Sequence, residues 1–315
     1  MKKQMKYPAL AFCVLLAAGC SQVEEVISSS HTDSNCMRVP LVIASAEVQT
    51  EVPSTRAFTA LGAGSSIGVF LGNVNEDGFE MTHANVRYYY GSPKWVPISE
   101  QEKIYVTSDN AGVCAYYPYR AGVSDGLHVS LAPRILADGE VPIAYATLQS
   151  TNAGYKEMSF SMQQACSWLV MNFKRGNTKD DITLSEFSLI NSKLYKEYLL
   201  DITDGSISNT TAADAGTITF AGDIALAKNS TVTRNLSMPP ITWLGGGLKV
   251  SVKVKEYGNK VLSTTLTALT TLERGYKYAV TLTVNGTGLG VSSVEVLPWT
   301  ESTINNGGNP FVPLP

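Results

Sequence analysis

Nucleophilic and metal-binding side chains are scarce in this sequence. Its 315 residues carry five cysteines and three histidines. His31, His83 and His128 lie far apart, and no C-x-x-C pair is present, so no zinc-ligand spacing exists. No G-x-S-x-G nucleophile elbow occurs, and the acids are too scattered to define a glycosidase pair. Gly286-Thr287-Gly288-Leu289-Gly290 has the look of a phosphate loop, yet it lacks the Lys-Ser/Thr step and opens no helix. The sequence therefore reads as a non-enzyme without metal or cofactor.

The cysteine with chemistry is Cys20. Lys2, Lys3 and Lys6 form a positive n-region, and Ala9 to Ala18 is a ten-residue apolar stretch. A membrane-spanning helix needs about 20 apolar residues, so residues 1–20 read as a signal peptide. It ends Leu16-Ala17-Ala18-Gly19-Cys20, small residues before a Cys, which is the pattern of a bacterial lipoprotein signal; Ala17 stands where Leu is usual. Cys20 is then the lipidated first residue, firmly anchored because each buried CH₂ contributes about 0.8 kcal/mol. Ser21 and Glu24-Glu25 after it point to the outer membrane, facing outward. Cys36, Cys114 and Cys166 remain, an odd number that excludes a dense disulfide scaffold. A Cys114–Cys166 bridge and two buried free thiols both stay open.

Elements must hold whatever is exported. Charged residues are 16% of the chain, hydrophobic residues 44%, and the net charge is −3. That composition excludes a disordered chain and gives no basic excess for nucleic acid. Residues 21–35 are a polar, Ser-rich tether. From Val42 to Val52 the sequence alternates, with Val42, Ala44, Ala46 and Val48 on one face and Ser45, Glu47 and Gln49 on the other. That period of two predicts a half-buried strand. Pro53-Ser54-Thr55 ends it, and Arg56-Ala57-Phe58 follows in a loop. Further short strands are expected over 67–71, 86–90, 104–107, 113–117, 143–147, 167–173, 182–190, 195–202, 217–220, 248–257, 261–269, 276–284 and 291–297, separated by Gly, Pro, Asn and Asp. Such a pattern predicts an all-β chain of two sandwiches, 57–154 and 155–315. The runs Tyr88-Tyr89-Tyr90 and Tyr116-Tyr117-Pro118-Tyr119 fit cross-strand packing better than a glycan-stacking face.

Several local patterns, taken in order, carry a family likeness: the lipobox, the alternating strand, Thr55-Arg56-Ala57-Phe58, Ser66-Ile67-Gly68-Val69-Phe70, Val113-Cys114-Ala115-Tyr116-Tyr117-Pro118-Tyr119, Ile143-Ala144-Tyr145-Ala146, Arg274-Gly275-Tyr276-Lys277-Tyr278 and Val294-Glu295-Val296-Leu297-Pro298-Trp299. Over about 250 residues the chain resembles the fimbrillin family, subunits of type V pili on Gram-negative anaerobes. Phe160-Ser161-Met162 departs from the family's Phe-x-His.

The resemblance implies two transthyretin-like β-sandwich domains in tandem. It also implies a lipidated precursor, cut after an exposed Arg by an arginine-specific protease. The cut would follow Arg56, leave Ala57 as the new N-terminus and remove residues 21–56, including the strand with Val42, Ala44, Ala46 and Val48; Arg38 is a second candidate. Cutting a 315-residue chain there leaves 259 residues. A donor strand from another subunit would fill the vacated groove, with Val294, Val296, Trp299, Phe311, Val312 and Leu314 as its apolar residues. The implied partners are other fimbrial subunits, the protease and the outer membrane. The alternative is a pilus tip adhesin or monomeric surface lipoprotein that binds a host protein or glycan.

Overall fold

The structure is a computed structural model, and it describes residues 38–49, 58–76, 78–123, 126–138, 140–209, 216–243 and 246–298. The described residues hold no α-helix and 24 strands. The first twelve are β1 (Val39–Pro40), β2 (Val42–Gln49), β3 (Phe58–Ala60), β4 (Ser66–Asn75), β5 (Gly78–Tyr90), β6 (Trp95–Pro97), β7 (Tyr105–Val106), β8 (Ala111–Tyr117), β9 (His128–Leu131), β10 (Arg134–Ile135), β11 (Ala144–Thr151) and β12 (Glu157–Gln164). The others are β13 (Ser167–Arg175), β14 (Ile182–Asn191), β15 (Tyr198–Asp201), β16 (Ile207–Asn209), β17 (Gly216–Leu226), β18 (Thr231–Met238), β19 (Ile241–Thr242), β20 (Leu248–Val254), β21 (Lys260–Leu266), β22 (Thr271–Leu272), β23 (Tyr276–Val284) and β24 (Leu289–Pro298). The all-β expectation holds.

An eight-stranded sheet in the order β3-β2-β12-β11-β8-β4-β5-β6 contains most of the earlier strands. Later strands build a five-stranded sheet, β10-β18-β13-β23-β24, and a four-stranded sheet, β17-β14-β20-β21. The change from one system to the other falls between Gln164 and Ser167, because β12 still belongs to the eight-stranded sheet. The two systems also interleave: β9 pairs with β15, and β10 adds to β18.

Side-chain alternation explains the cores. β12 reads Glu-Met-Ser-Phe-Ser-Met-Gln-Gln, and every second residue is buried, beginning with Met158. β4, β8 and β11 instead bury both faces. Ile67, Val69, Val113, Ala115, Tyr117 and Ala144 enter one core. Phe70, Cys114, Tyr116 and Tyr145, the residues between them, enter a larger core with Leu169, Phe173, Phe187, Val250 and Val280. The middle of the eight-stranded sheet is thus the shared wall of two cores, which is why Ala111–Tyr117 is a nearly continuous apolar run.

Close packing across this wall requires glycine at one place. A Cβ on Gly68 would overlap the Tyr116 ring. That ring cannot withdraw, since its hydroxyl donates to Asn85 Oδ1 at 2.9 Å and accepts the Arg120 N–H at 2.9 Å. Cys114 and Cys166 are free thiols, both buried. Burial pushes the Cys114 thiol up to about 12 and Cys166 to about 11, from an ordinary value of 9.0. The hydroxyls of Tyr116 and Tyr198 rise to about 12 for the same reason.

Two outcomes follow. Gly68→Ala should lower stability by about 2 kcal/mol, because the methyl overpacks a fixed ring. Gly288→Ala, where an added Cβ meets no atom within 4 Å, should change it by less than roughly 0.5 kcal/mol; thermal melts compare the two. In native protein at pH 8, iodoacetamide should leave Cys114 and Cys166 unmodified by peptide mass mapping. Stability should fall as pH rises from about 9 towards 12, because the unfolded thiols and phenols release protons that the folded ones keep.

Candidate functional site

The first described residues form a two-stranded sheet and then enter the eight-stranded one. β1 pairs with β7 through Val39↔Val106 and Pro40↔Tyr105. The chain then changes sheets within two residues. The Leu41 N–H still donates to the Ile104 carbonyl at 2.9 Å, and the Val42 N–H donates to the Lys156 carbonyl at 2.9 Å. From there β2 runs parallel to β12 in the register Val42↔Glu157, Ile43↔Met158, Ser45↔Ser159, Ala46↔Phe160 and Val48↔Met162. Its other edge pairs antiparallel with β3, through Glu47↔Ala60, Val48↔Thr59 and Gln49↔Phe58.

The face that β2 buries differs from the sequence expectation. Leu41, Ile43, Ala46 and Val48 point into the core, while Val42 is 40% exposed and Ala44 is exposed. The register slips between Met158 and Ser159, leaving Ala44 without an opposite residue. One extra residue of this kind is a β-bulge, and it reverses which residues face inward. Ala46 and Val48 keep their expected role; Val42 and Ala44 exchange theirs with Leu41 and Ile43. The buried residues meet Ile67, Val69, Ile104, Met158, Phe160 and Met162 in one cluster.

Two side-chain hydrogen bonds, one exposed and one buried, also tie β2 to β12. The Ser161 hydroxyl donates to Glu47 Oε1 at 2.7 Å, and Gln164 Nε2 donates to the Gln49 carbonyl at 3.2 Å. Gln164 is 3% exposed, and its Oε1 has no hydrogen-bond partner among the described residues. β2 thus lies in a slot with an apolar floor and a hydrogen-bonded strand on each side.

Of the expected processing residues, only Arg38 is among the described residues. Arg38 is exposed and immediately precedes β1, but Val39 and Leu41 behind it are held by the bonds to Val106 and Ile104. Arg56 and Ala57 belong to the connection between β2 and β3, residues 50–57, and Cys20 precedes Arg38; all three lie outside the described residues.

At the other end, β24 pairs along its length with β23, from Tyr276↔Pro298 to Val284↔Leu289. Val294 packs partly buried against the larger core, and Val296 is 58% exposed on an edge strand. These two expected donor residues are therefore held in the chain's own sheet. Trp299, Phe311, Val312 and Leu314 lie outside the described residues.

The tyrosine runs are structural. Tyr88 is buried, and its hydroxyl accepts the Ile104 N–H at 3.3 Å. Tyr90 packs on Trp95 with ring centroids 5.4 Å apart, and the Arg87 guanidinium lies 5.3 Å from the Tyr119 ring centroid. Among the described residues the exposed aromatics are Tyr155, 75% exposed, and Tyr105, 42% exposed. Single tyrosines in turns and two-residue strands give no sequence signal that sets them apart. His83 is pushed below its ordinary value, first by burial and then by the Arg38 charge. His128 lies 3.7 Å from Asp201. Among the described residues no group of His, Cys, Asp or Glu could hold a metal ion, and no helix is long and apolar enough to cross a membrane.

A second feature joins the sheet systems. Arg274 donates to the Tyr145 hydroxyl and to the Gly205 carbonyl, the latter at 3.1 Å from both terminal nitrogens. An open cavity of about 480 Å³ beside it is lined by Ile241, Thr242, Thr271, Glu273, Arg274 and Tyr276, among others.

Comparison with known proteins gives the same architecture. A candidate cell adhesion protein from Bacteroides ovatus superposes with TM-score 0.56 at 16% identity, covering 84% of this chain and 98% of its own. One from Bacteroides uniformis gives 0.54 at 17%, with 83% and 98% covered. A third, from Bacteroides fragilis, gives 0.51 at 12%, with 85% and 100% covered. No curated protein matches the chain. The family model described as fimbrillin-like matches residues 55–299, so the chain belongs to the fimbrillin-like family.

Proposed function

We propose that this chain is a structural, non-enzymatic subunit of a cell-surface fimbria, made as a precursor lipidated at Cys20 and built as two transthyretin-like sandwiches in tandem. An arginine-specific protease cuts after Arg56, β1 and β2 depart with the anchor, and a strand from another subunit takes their place. The observation that carries this reading is the position of β2. It supplies three buried apolar residues, with Leu41 just before it a fourth, and two bonded edges to a sheet, yet the cut would sever it from the rest of the chain. A slot so exposed is a template for another strand. Family membership and cell-surface adhesion neighbours agree with it.

Arg56 is the better cut than Arg38. A protease needs an extended substrate, and the residues after Arg38 are pinned to β7 and Ile104. Cutting there would also leave β2 in its slot. As for the donor, withdrawing β24 would break its whole ladder with β23. A donor drawn from residues 299–315, with Trp299, Phe311, Val312 and Leu314, would leave that ladder intact.

The tip-adhesin reading draws on the adhesion descriptions of the neighbours and on the cavity beside Arg274. It predicts a subunit that accepts a strand but donates none.

Lipid-free precursor treated with an arginine-specific endoprotease should acquire an N-terminus at Ala57 and form oligomers on size exclusion. Arg56→Ala should stay full-length at that site and monomeric. Deleting residues 299–315 should give a cleaved subunit that caps growth when mixed with wild type. Oligomers of normal length from Arg56→Ala would refute the cut, and unimpeded self-assembly of the truncated chain would refute the donor.

A further inference from the structure

β3 has a single strand partner. Phe58–Ala60 pairs with Glu47–Gln49 and, among the described residues, with no other strand. Leu61 continues the contact, its N–H donating to the Ala46 carbonyl at 2.9 Å and its side chain 4% exposed in the same cluster as Ala46 and Val48. Three residues later the chain is tied to a different strand, where the Gly64 N–H donates to the Tyr90 carbonyl at 3.1 Å and the Tyr90 N–H donates to the Ser65 carbonyl at 2.9 Å. Loss of β2 therefore strips residues 58–61 of their ladder and leaves the chain from Gly64 onward in place. In a chain that begins at Ala57, those residues become a short arm hinged at Gly62-Ala63-Gly64.

We propose that this arm is a clasp for the strand inserted by a second copy of this chain. The inference rests on the removal of β2 set out above. The vacant edge of β12 fixes one side of the incoming strand, parallel to β12 as β2 is now. The arm then folds back over the other side, pairs antiparallel with the newcomer and returns Leu61 to the core. An edge strand gains a second bonded neighbour, so the donor is enclosed and leaves more slowly. The newly made N-terminus thus becomes part of the joint between subunits, and the clasp can close only after cleavage has freed it.

Amide hydrogen exchange at Thr59 and Leu61, the two amides of residues 58–61 that this register turns toward β2, tests this in three states of the lipid-free protein. The amides should exchange slowly in the uncut precursor, at least tenfold faster once the 21–56 fragment has left, and slowly again in the oligomer. A synthetic peptide of residues 39–49, added to the open subunit, should restore the slow exchange. Thr59→Pro removes the central N–H of the arm; it should be cut at Arg56 like wild type, fail to regain protection, and give oligomers that dissociate at least tenfold faster. If the fragment stays bound after cleavage, the removal of β2 itself is wrong. If the fragment leaves but the Thr59 and Leu61 amides stay slow, or if neither oligomer nor peptide restores their protection, or if Thr59→Pro oligomers are as long-lived as wild type, the clasp is overturned.

Discussion

A strand with two bonded neighbours cannot be removed without replacement. β2 sits between β12 and β3, so its backbone groups and theirs satisfy one another. Buried peptide groups left unpaired are costly, and the apolar floor beneath β2 would be exposed as well. An emptied slot would therefore favour any strand of similar shape that could restore these bonds and cover the floor. Everything specific to this site serves that constraint. The crossing at Leu41 delivers the strand from β7, the bulge at Ala44 sets which residues face inward, and the exposed Ser161 and the buried Gln164 each hold it by a side-chain hydrogen bond.

The rest of the molecule gives that slot a rigid frame. β4, β8 and β11 form a wall with an apolar core on each face, so the sheet that carries β12 cannot flex without disturbing both. The motifs behind the family likeness sit at joints of this frame. Gly68 of the Ile-Gly-Val-Phe segment makes room for Tyr116 of the Tyr-Tyr-Pro-Tyr segment. Arg274 of Arg-Gly-Tyr-Lys-Tyr reaches Tyr145 of Ile-Ala-Tyr-Ala. Residues far apart in sequence, each weak as a signal, touch in the fold.

Much of this was legible before the structure. The alternation after Val42 revealed β2, and the aromatic runs were rightly assigned to packing. The inward face of β2 was not legible, because a bulge leaves no mark on an alternating sequence of Val and Ala. β12 was missed for a related reason: Met, Ser and Gln alternate correctly but carry little strand preference. β18, with Thr, Arg and Asn, was missed likewise. The parallel pairing of β2 with β12 joins residues more than 100 positions apart, and local pattern holds no information on such a partner. The continuous burial of β13 depends on Leu136, brought by the segment after β10 to cover Trp168 and Val170, which is again a long-range effect.

The most direct test of the account is electron cryomicroscopy of fibres grown from the protease-matured subunit. The slot between β12 and β3 should contain density continuous with the C-terminal residues of the adjacent subunit, running parallel to β12, with residues 38–49 of the occupied subunit gone. Fibres in which each subunit keeps its own β2, and contacts its neighbours through some other surface, would contradict it.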